Sequence, residues 1–156
     1  MGGSVVSGMT GRYRRCARGC NTGPDAAIVP RMLINVLLVF LGGGAGSLVR
    51  YGASLAMPSP GFPVATLAVN VAGCLAAGVA LARLVPVHPA DHPARLLLVA
   101  GFLGGLTTFS AFGLETISLL RDGRTGLAML NVAANVGAGL AATWLGWMMA
   151  RPPVGA

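Results

Sequence analysis

The sequence predicts an all-α, polytopic membrane protein with four transmembrane helices. Three observations predict it. Hydrophobic residues make up 54% of the 156-residue chain and charged residues only 10%, against about 25% charged in a soluble domain. Four stretches are long and apolar enough to cross a hydrocarbon core ~30 Å thick, which takes about 20 residues of helix. The connections between them are short and rich in turn residues, which leaves no room for an extramembrane domain. With no water to satisfy an open strand edge, apolar segments of this length are helices. The same composition excludes a soluble surface and a disordered chain. A nucleic-acid binder is excluded too: the net charge of +7 comes from 11 Arg and no Lys, scattered without a basic face or motif.

The first span is placed at 33–57, since residues 32–49 carry no charge and Arg50 is the only one before Met57. The turn sequence MPSPG (57–61) separates it from the second span, 62–83, which Arg83 closes. The third, 96–119, follows Arg95, contains Glu115 and stops before RDGR (121–124). The fourth, 125–149, is neutral throughout and precedes Arg151, Pro152 and Pro153. Residues 32–150 are thus the membrane domain and 151–156 a C-terminal tail. Residues 1–31 hold Arg12, Arg14, Arg15, Arg18 and Arg31 with almost no apolar periodicity. They lack the apolar core of a signal peptide and read as a disordered leader, or as sequence upstream of a true start at Met32.

Basic residues near span ends set orientation. From Met32 onward, Arg83, Arg95 and Arg151 fall on one side of the membrane and Arg50, Arg121 and Arg124 on the other. This balance fits a protein that inserts both ways and pairs head to tail, and it equally fits chance. The spans also carry small residues four apart: Gly42 and Gly46, Ala72 and Ala76, Ala133 and Gly137, Gly137 and Ala141. Such pairs let helix backbones approach closely, within one chain or between chains.

Polar groups at bilayer depth mark a pathway or a buried pair. The third span is the densest in them, and its centre falls near residues 106–108. There Gly104 and Gly105 precede Thr107 and Thr108, all poor helix formers. Two readings fit. The helix breaks, freeing carbonyl oxygens to line a cavity or hold an ion, or it stays intact with Gly at a packing seam and each Thr bonded back to its own helix. Phe109 and Phe112 stand three apart and share a helix face, either as plain packing or with electropositive ring edges turned to an anion. Glu115, one turn on, sits at a mouth or pairs with an Arg. Asn70, with Thr66 one turn before it, needs a partner in the second span. Asn131 and Asn135 repeat the pattern one turn apart in the fourth. Arg50 either snorkels to the interface or lends positive potential to a vestibule.

No catalytic constellation is present. His88 and His92 have a ligand-like spacing, but Pro89 and Pro93 break any helix that would align them. Cys16, Cys20 and Cys74 form no disulfide framework. The GGGAG run at 42–46 lacks the spacing of a dinucleotide fingerprint. Neither a nucleophile–base pair nor paired carboxylates occur, and the chain is not read as an enzyme.

The segments GGAGSLVRY (43–51), TLAVN (66–70) with Gly73, and GFLGGLTTFSAFGLE (101–115) together resemble the CrcB/Fluc family of fluoride channels. The match covers the four spans in order. The third-span motif is its specific part; a lone GG or TTF would mean little. The resemblance implies a dual-topology antiparallel homodimer in the cytoplasmic membrane, or a pairing with a paralogous subunit, that exports fluoride passively. It implies third helices broken at their centres, crossing at the dimer centre and holding a structural sodium ion through main-chain carbonyls, here those of Gly104 and Thr107. It places Phe109 and Phe112 with ring edges toward fluoride and Asn70 as a donor to it. Thr66 lies beside Asn70, Arg50 matches the first-helix arginine, and Ser110 and Glu115 match polar positions along the pore. Two departures stand out: Ala111 replaces the usual Thr, and Asn135, with Asn131 before it, stands where the fourth helix commonly has Ser. The partners so implied are fluoride, sodium, a second subunit and the lipid bilayer, with no nucleic acid. The rival reading is a small four-helix proton-coupled drug exporter, which needs an acid within the first span, where this chain has none.

Overall fold

The computed structural model describes residues 25–152. Residues up to Leu33 and residues from Ile34 onward form separate units. Of the first unit, residues 25–33 are helical and begin α1 (Asp25–Ala56). The helix thus starts before Met32, taking in Pro30 and Arg31. The leader expected over 1–31 otherwise lies outside the described residues, as do 153–156 of the tail. Among the described residues, four helices are long and apolar enough to cross a membrane: Val29–Ala56, Val64–Arg83, Arg95–Arg121 and Thr125–Ala150.

Pro58, Pro60 and Pro63 end the first span and admit the second. Proline has no N–H to lose at a helix start, and its fixed φ suits entry; α2 (Val64–Arg83) begins directly after Pro63. The third span opens as a π-helix, Arg95–Leu103, with i→i+5 bonding rather than the α-helix expected from its apolar run. A single α turn follows, α3 (Gly104–Leu106). Thr107 (φ −80°, ψ 145°) and Thr108 (φ −147°, ψ 118°) are extended, and α4 (Phe109–Arg121) starts after them. Its N-cap is Thr108, whose Oγ1 accepts from Ala111 N at 3.2 Å, satisfying one of the free donors of the first turn.

The turn from α4 into α5 (Thr125–Ala150) is a Schellman closure. Arg124 N donates to Leu119 O at 2.9 Å and Gly123 N to Leu120 O at 3.1 Å. Gly123 takes φ 72°, which only glycine adopts without penalty. At the far end of α5 the Arg151 guanidinium lies 5.1 Å from the centre of the Trp147 ring, an anchor suited to a membrane–water boundary. In the connection between α2 and the third span, the His88 and His92 rings stack at 3.7 Å, and Arg95 Nη1 donates to His88 O at 2.9 Å.

Close backbone contact holds the helices together. A Cβ on Gly42 would strike Leu97 O and sit 2.9 Å from Phe102 N, and one on Gly46 would strike Phe102 O. Gly105 is held as tightly against Gly43 O. The Gly42 and Gly46 pair therefore packs α1 on the third span within one chain. Gly78 of α2 lies against Thr143 O of α5, and Gly146 of α5 against Leu75 O. The buried residues here include Ala80, Ala82, Ala128 and Ala142, small side chains that favour dispersion contact where lipid removes the hydrophobic drive. The other small pairs open outward: Ala72, Ala76, Ala133, Gly137 and Ala141 are all exposed. So are large apolar side chains such as Phe40, Leu48, Leu140 and Met149.

Gly78→Ala tests the seam. Alanine gains about 1 kcal/mol of helix propensity over glycine. Its Cβ, however, would meet the backbone at Thr143 and lie 2.8 Å from Trp147 N, so the helices must part. Overpacking of this kind costs about 1–3 kcal/mol. Thermal unfolding in detergent should show Gly78→Ala destabilised and Gly44→Ala, which meets nothing within 4 Å, neutral or stabilised.

Candidate functional site

The extended pair Thr107 and Thr108 leaves backbone polar groups without their helical partners, and Asn70 of α2 takes up part of that demand. Thr108 N donates to Asn70 Oδ1 at 2.9 Å, and Asn70 Nδ2 donates back to Thr108 O at 3.3 Å. The second Nδ2 hydrogen goes to Asn135 Oδ1 of α5 at 3.0 Å. Thr107 Oγ1 bonds back to Leu103 O at 2.8 Å, whereas Thr108 turns its hydroxyl forward as a cap. Gly73, opposite, leaves room for the Thr107 methyl; a larger residue there would push α2 away from the third span.

Around this junction lies a cleft of about 320 Å³. Asn70, Thr107, Thr108, Phe109, Phe112 and Asn135 line it, with Cys74 and Leu103 among its apolar walls. The Phe109 and Phe112 ring centroids are 5.3 Å apart and the rings are inclined by 59°, an edge-to-face relation. Their surroundings differ: Phe112 is 8% exposed and Phe109 83%. The shared helix face therefore holds, with one ring packed in the chain and the other standing free.

A second cleft, about 390 Å³, lies at the α4–α5 turn. Thr66, Glu115, Ser118, Asp122 and Arg124 line it together with the proline-rich connection after α1. Glu115 Oε1 accepts from Thr66 Oγ1 at 2.6 Å, while its Oε2 is buried without a partner. Glu115 thus pairs with a hydroxyl and not with an arginine, because Thr66 faces it across α2 and α4. Arg50 Nε donates to Gly105 O at 3.3 Å, beside Ser47 Oγ, which reaches the same carbonyl at 3.5 Å. Arg50, Ser110 and Gly104 line neither cleft. Ser110 Oγ lies 3.1 Å from Thr108 Oγ1 and is exposed with Gly104.

Two polar residues extend the network beyond the expected set. Asn131 is wholly buried; it accepts from Asn135 Nδ2 at 2.9 Å and donates to Thr116 Oγ1 at 2.9 Å. Thr116 in turn donates to Phe112 O at 2.7 Å. The one-turn spacing of Asn131 and Asn135 signalled the first. Thr116 had no signal, since a lone threonine in an apolar helix ordinarily bonds its own carbonyl.

Among the described residues no cluster of His, Cys, Asp and Glu is placed to hold a metal. Backbone oxygens are the available ligands. Gly104 O, at the start of α3, and Thr107 O, in the extended pair, are among them. Such oxygens suit a hard cation.

Residues 37–147 match the family described as "CrcB-like protein, Camphor Resistance (CrcB)". The chain is 45% identical over 116 residues to the fluoride-specific ion channel FluC of Variovorax paradoxus, covering 74% of this chain and 93% of that one. It is 46% identical over 119 residues to the protein of the same name from Solibacter usitatus, with 74% and 97% covered. It is also 46% identical over 120 residues to fluoride-specific ion channel FluC 1 of Streptomyces coelicolor, with 74% and 77% covered. With the model match spanning all four membrane helices and relatives this similar over nearly their whole length, the chain belongs to the CrcB-like protein family.

Proposed function

We propose that this protein is a fluoride-specific ion channel of the cytoplasmic membrane, conducting fluoride passively outward and so lowering its cellular level. The observation that carries the reading is the cleft in which Phe109, Phe112, Asn70 and Asn135 meet around Thr108. Fluoride holds its water tightly, and a pore must replace that shell with fixed donors and ring edges. The two inclined rings offer electropositive edges, and Ser110 adds a hydroxyl. The Asn70 Nδ2 bond to Thr108 O is, at 3.3 Å, the longest of that amide's bonds, so this donor turns to an anion at the least cost. Thr66 and Glu115 line the mouth at the α4–α5 turn. Arg50, bonded to Gly105 O, contributes positive potential close to the pathway.

The working unit in this reading is an antiparallel homodimer of dual topology, with third helices discontinuous at Thr107 and Thr108. The even arginine count from Met32 onward and the exposed small residues of α2 and α5 support it; a paralogous subunit is the other partner the sequence allows. Gly104 and Thr107 carbonyls from each subunit would hold a sodium ion, which supplies fixed positive charge and ties the two third spans together. Sodium-dependent thermal unfolding of the purified dimer tests that site, and cross-linking of single-cysteine variants tests the antiparallel pairing. No observation favours the drug exporter: residues 29–56 contain no acid. The function itself is tested by fluoride efflux from liposomes holding the purified protein. Efflux of fluoride without chloride is expected; an intact dimer that passes no fluoride would sink the proposal.

A further inference from the structure

The polar network in the α2, α4 and α5 region has a single direction. Its polarity is fixed at one end by the Thr108 N–H, which can only donate, and at the other by the Phe112 carbonyl, which can only accept. Between them Asn70 must turn Oδ1 to Thr108 N and Nδ2 to Asn135 Oδ1. Asn135 must then turn its Nδ2 to Asn131, where it meets both Oδ1 and the main-chain oxygen at 2.9 and 3.0 Å. Asn131 is left with Nδ2 toward Thr116 Oγ1, and that hydroxyl hydrogen goes to Phe112 O. No amide can flip alone without facing a donor to a donor. Aligned bonds of this kind polarise one another, and a wholly buried amide with a broken link is costly.

We propose that Asn131 and Thr116 are positioning residues for fluoride: through Asn135 they hold the Asn70 amide in place, its sense being set by Thr108 N. The inference rests on the fluoride-channel reading above. Neither residue lines the cleft that holds the rings; each acts through its neighbour. The chain also runs between the backbone of Thr108 and that of Phe112, the two ends of the segment that presents both phenylalanines. Loss of the Thr116 hydroxyl leaves the Asn131 Nδ2 without its acceptor. Thr108 N still sets the sense of the Asn70 amide, but the Asn135 side chain that holds its Nδ2 loses its anchor on α4 and the donor loses its fixed position.

Thr116→Val keeps shape and removes the hydroxyl. In liposome flux it is expected to raise the half-saturating fluoride concentration by about tenfold, a typical coupling within one hydrogen-bonded network, with a smaller change in maximal flux. Thr116→Ser, which keeps the hydroxyl, should restore the wild-type value. Combining Thr116→Val with Asn135→Ser should be no worse than the more severe of the two single variants, because both break the same chain. If Thr116→Val does not fold in detergent, Thr116→Ala carries the same expectations. Wild-type efflux with an unchanged half-saturating concentration in the hydroxyl-free variant would overturn the relay alone. Strictly additive effects in the double variant would do the same. Absence of efflux from the wild type would overturn the channel reading, and the relay with it.

Discussion

Asn70→Leu is expected to abolish fluoride efflux and to lower thermal stability together. The side chain serves two backbone groups of Thr108 and the carbonyl of Asn135. A leucine of similar size fills the space and serves none of them. Each polar group orphaned away from water costs about 1–3 kcal/mol, so the fold loses several kcal/mol and the extended pair loses its tether. Asn70→Asp separates the two roles. Its carboxylate still accepts from Thr108 N, so more of the fold survives, but it donates nothing and repels an anion. Efflux and unfolding temperature should both fall in Asn70→Leu, and efflux should fall further than stability in Asn70→Asp. An aspartate variant that conducts like the wild type would remove Asn70 from the pathway.

The second large effect concerns the rings. Phe109→Ile and Phe112→Ile each remove an electropositive edge while keeping an apolar side chain, and an aromatic edge contributes roughly 0.5–1.5 kcal/mol. Because each 1.36 kcal/mol is tenfold in rate, flux should drop by roughly two- to tenfold in either variant. Their stabilities should differ. Phe109 stands 83% exposed in the chain and Phe112 only 8%, so isoleucine at 109 costs the monomer fold little, whereas at 112 it leaves space and costs about 1–3 kcal/mol. Flux assays and thermal unfolding on both proteins check this. Full flux in both would deny the ring edges any part in conduction.

The four spans were legible because length and hydropathy answer directly to bilayer thickness. Residue types at the site were legible for a related reason: Asn70, Thr66 and Asn135 are polar groups where polarity is expensive. Their partners were not. The bonds from Asn70 to Thr108 and from Arg50 to Gly105 join residues far apart in the chain, and spacing along one helix says nothing about them. Arg50 shows the consequence, since a lone arginine in an apolar span gives no sign of which carbonyl it will meet. The π-helical Arg95–Leu103 was hidden too, because an almost continuous apolar run suits π and α winding equally. The ring pair was half legible. Three-residue spacing placed Phe109 and Phe112 on one face, but burial of one and exposure of the other depend on where α2 and α5 lie.

The tight closure at Asp122, Gly123 and Arg124 also bears on biogenesis. A connection this short lets α4 and α5 enter the bilayer as one helical hairpin instead of singly. Within that hairpin the Asn131 amide already has Thr116 as its acceptor, and Asn135 already has Asn131. The Asn131 amide is therefore satisfied by its sister helix within the hairpin. The groups left waiting for α2 are Asn135 Oδ1 and the Thr108 backbone, which bond Asn70, and Glu115, which bonds Thr66; together they draw α2 onto the hairpin.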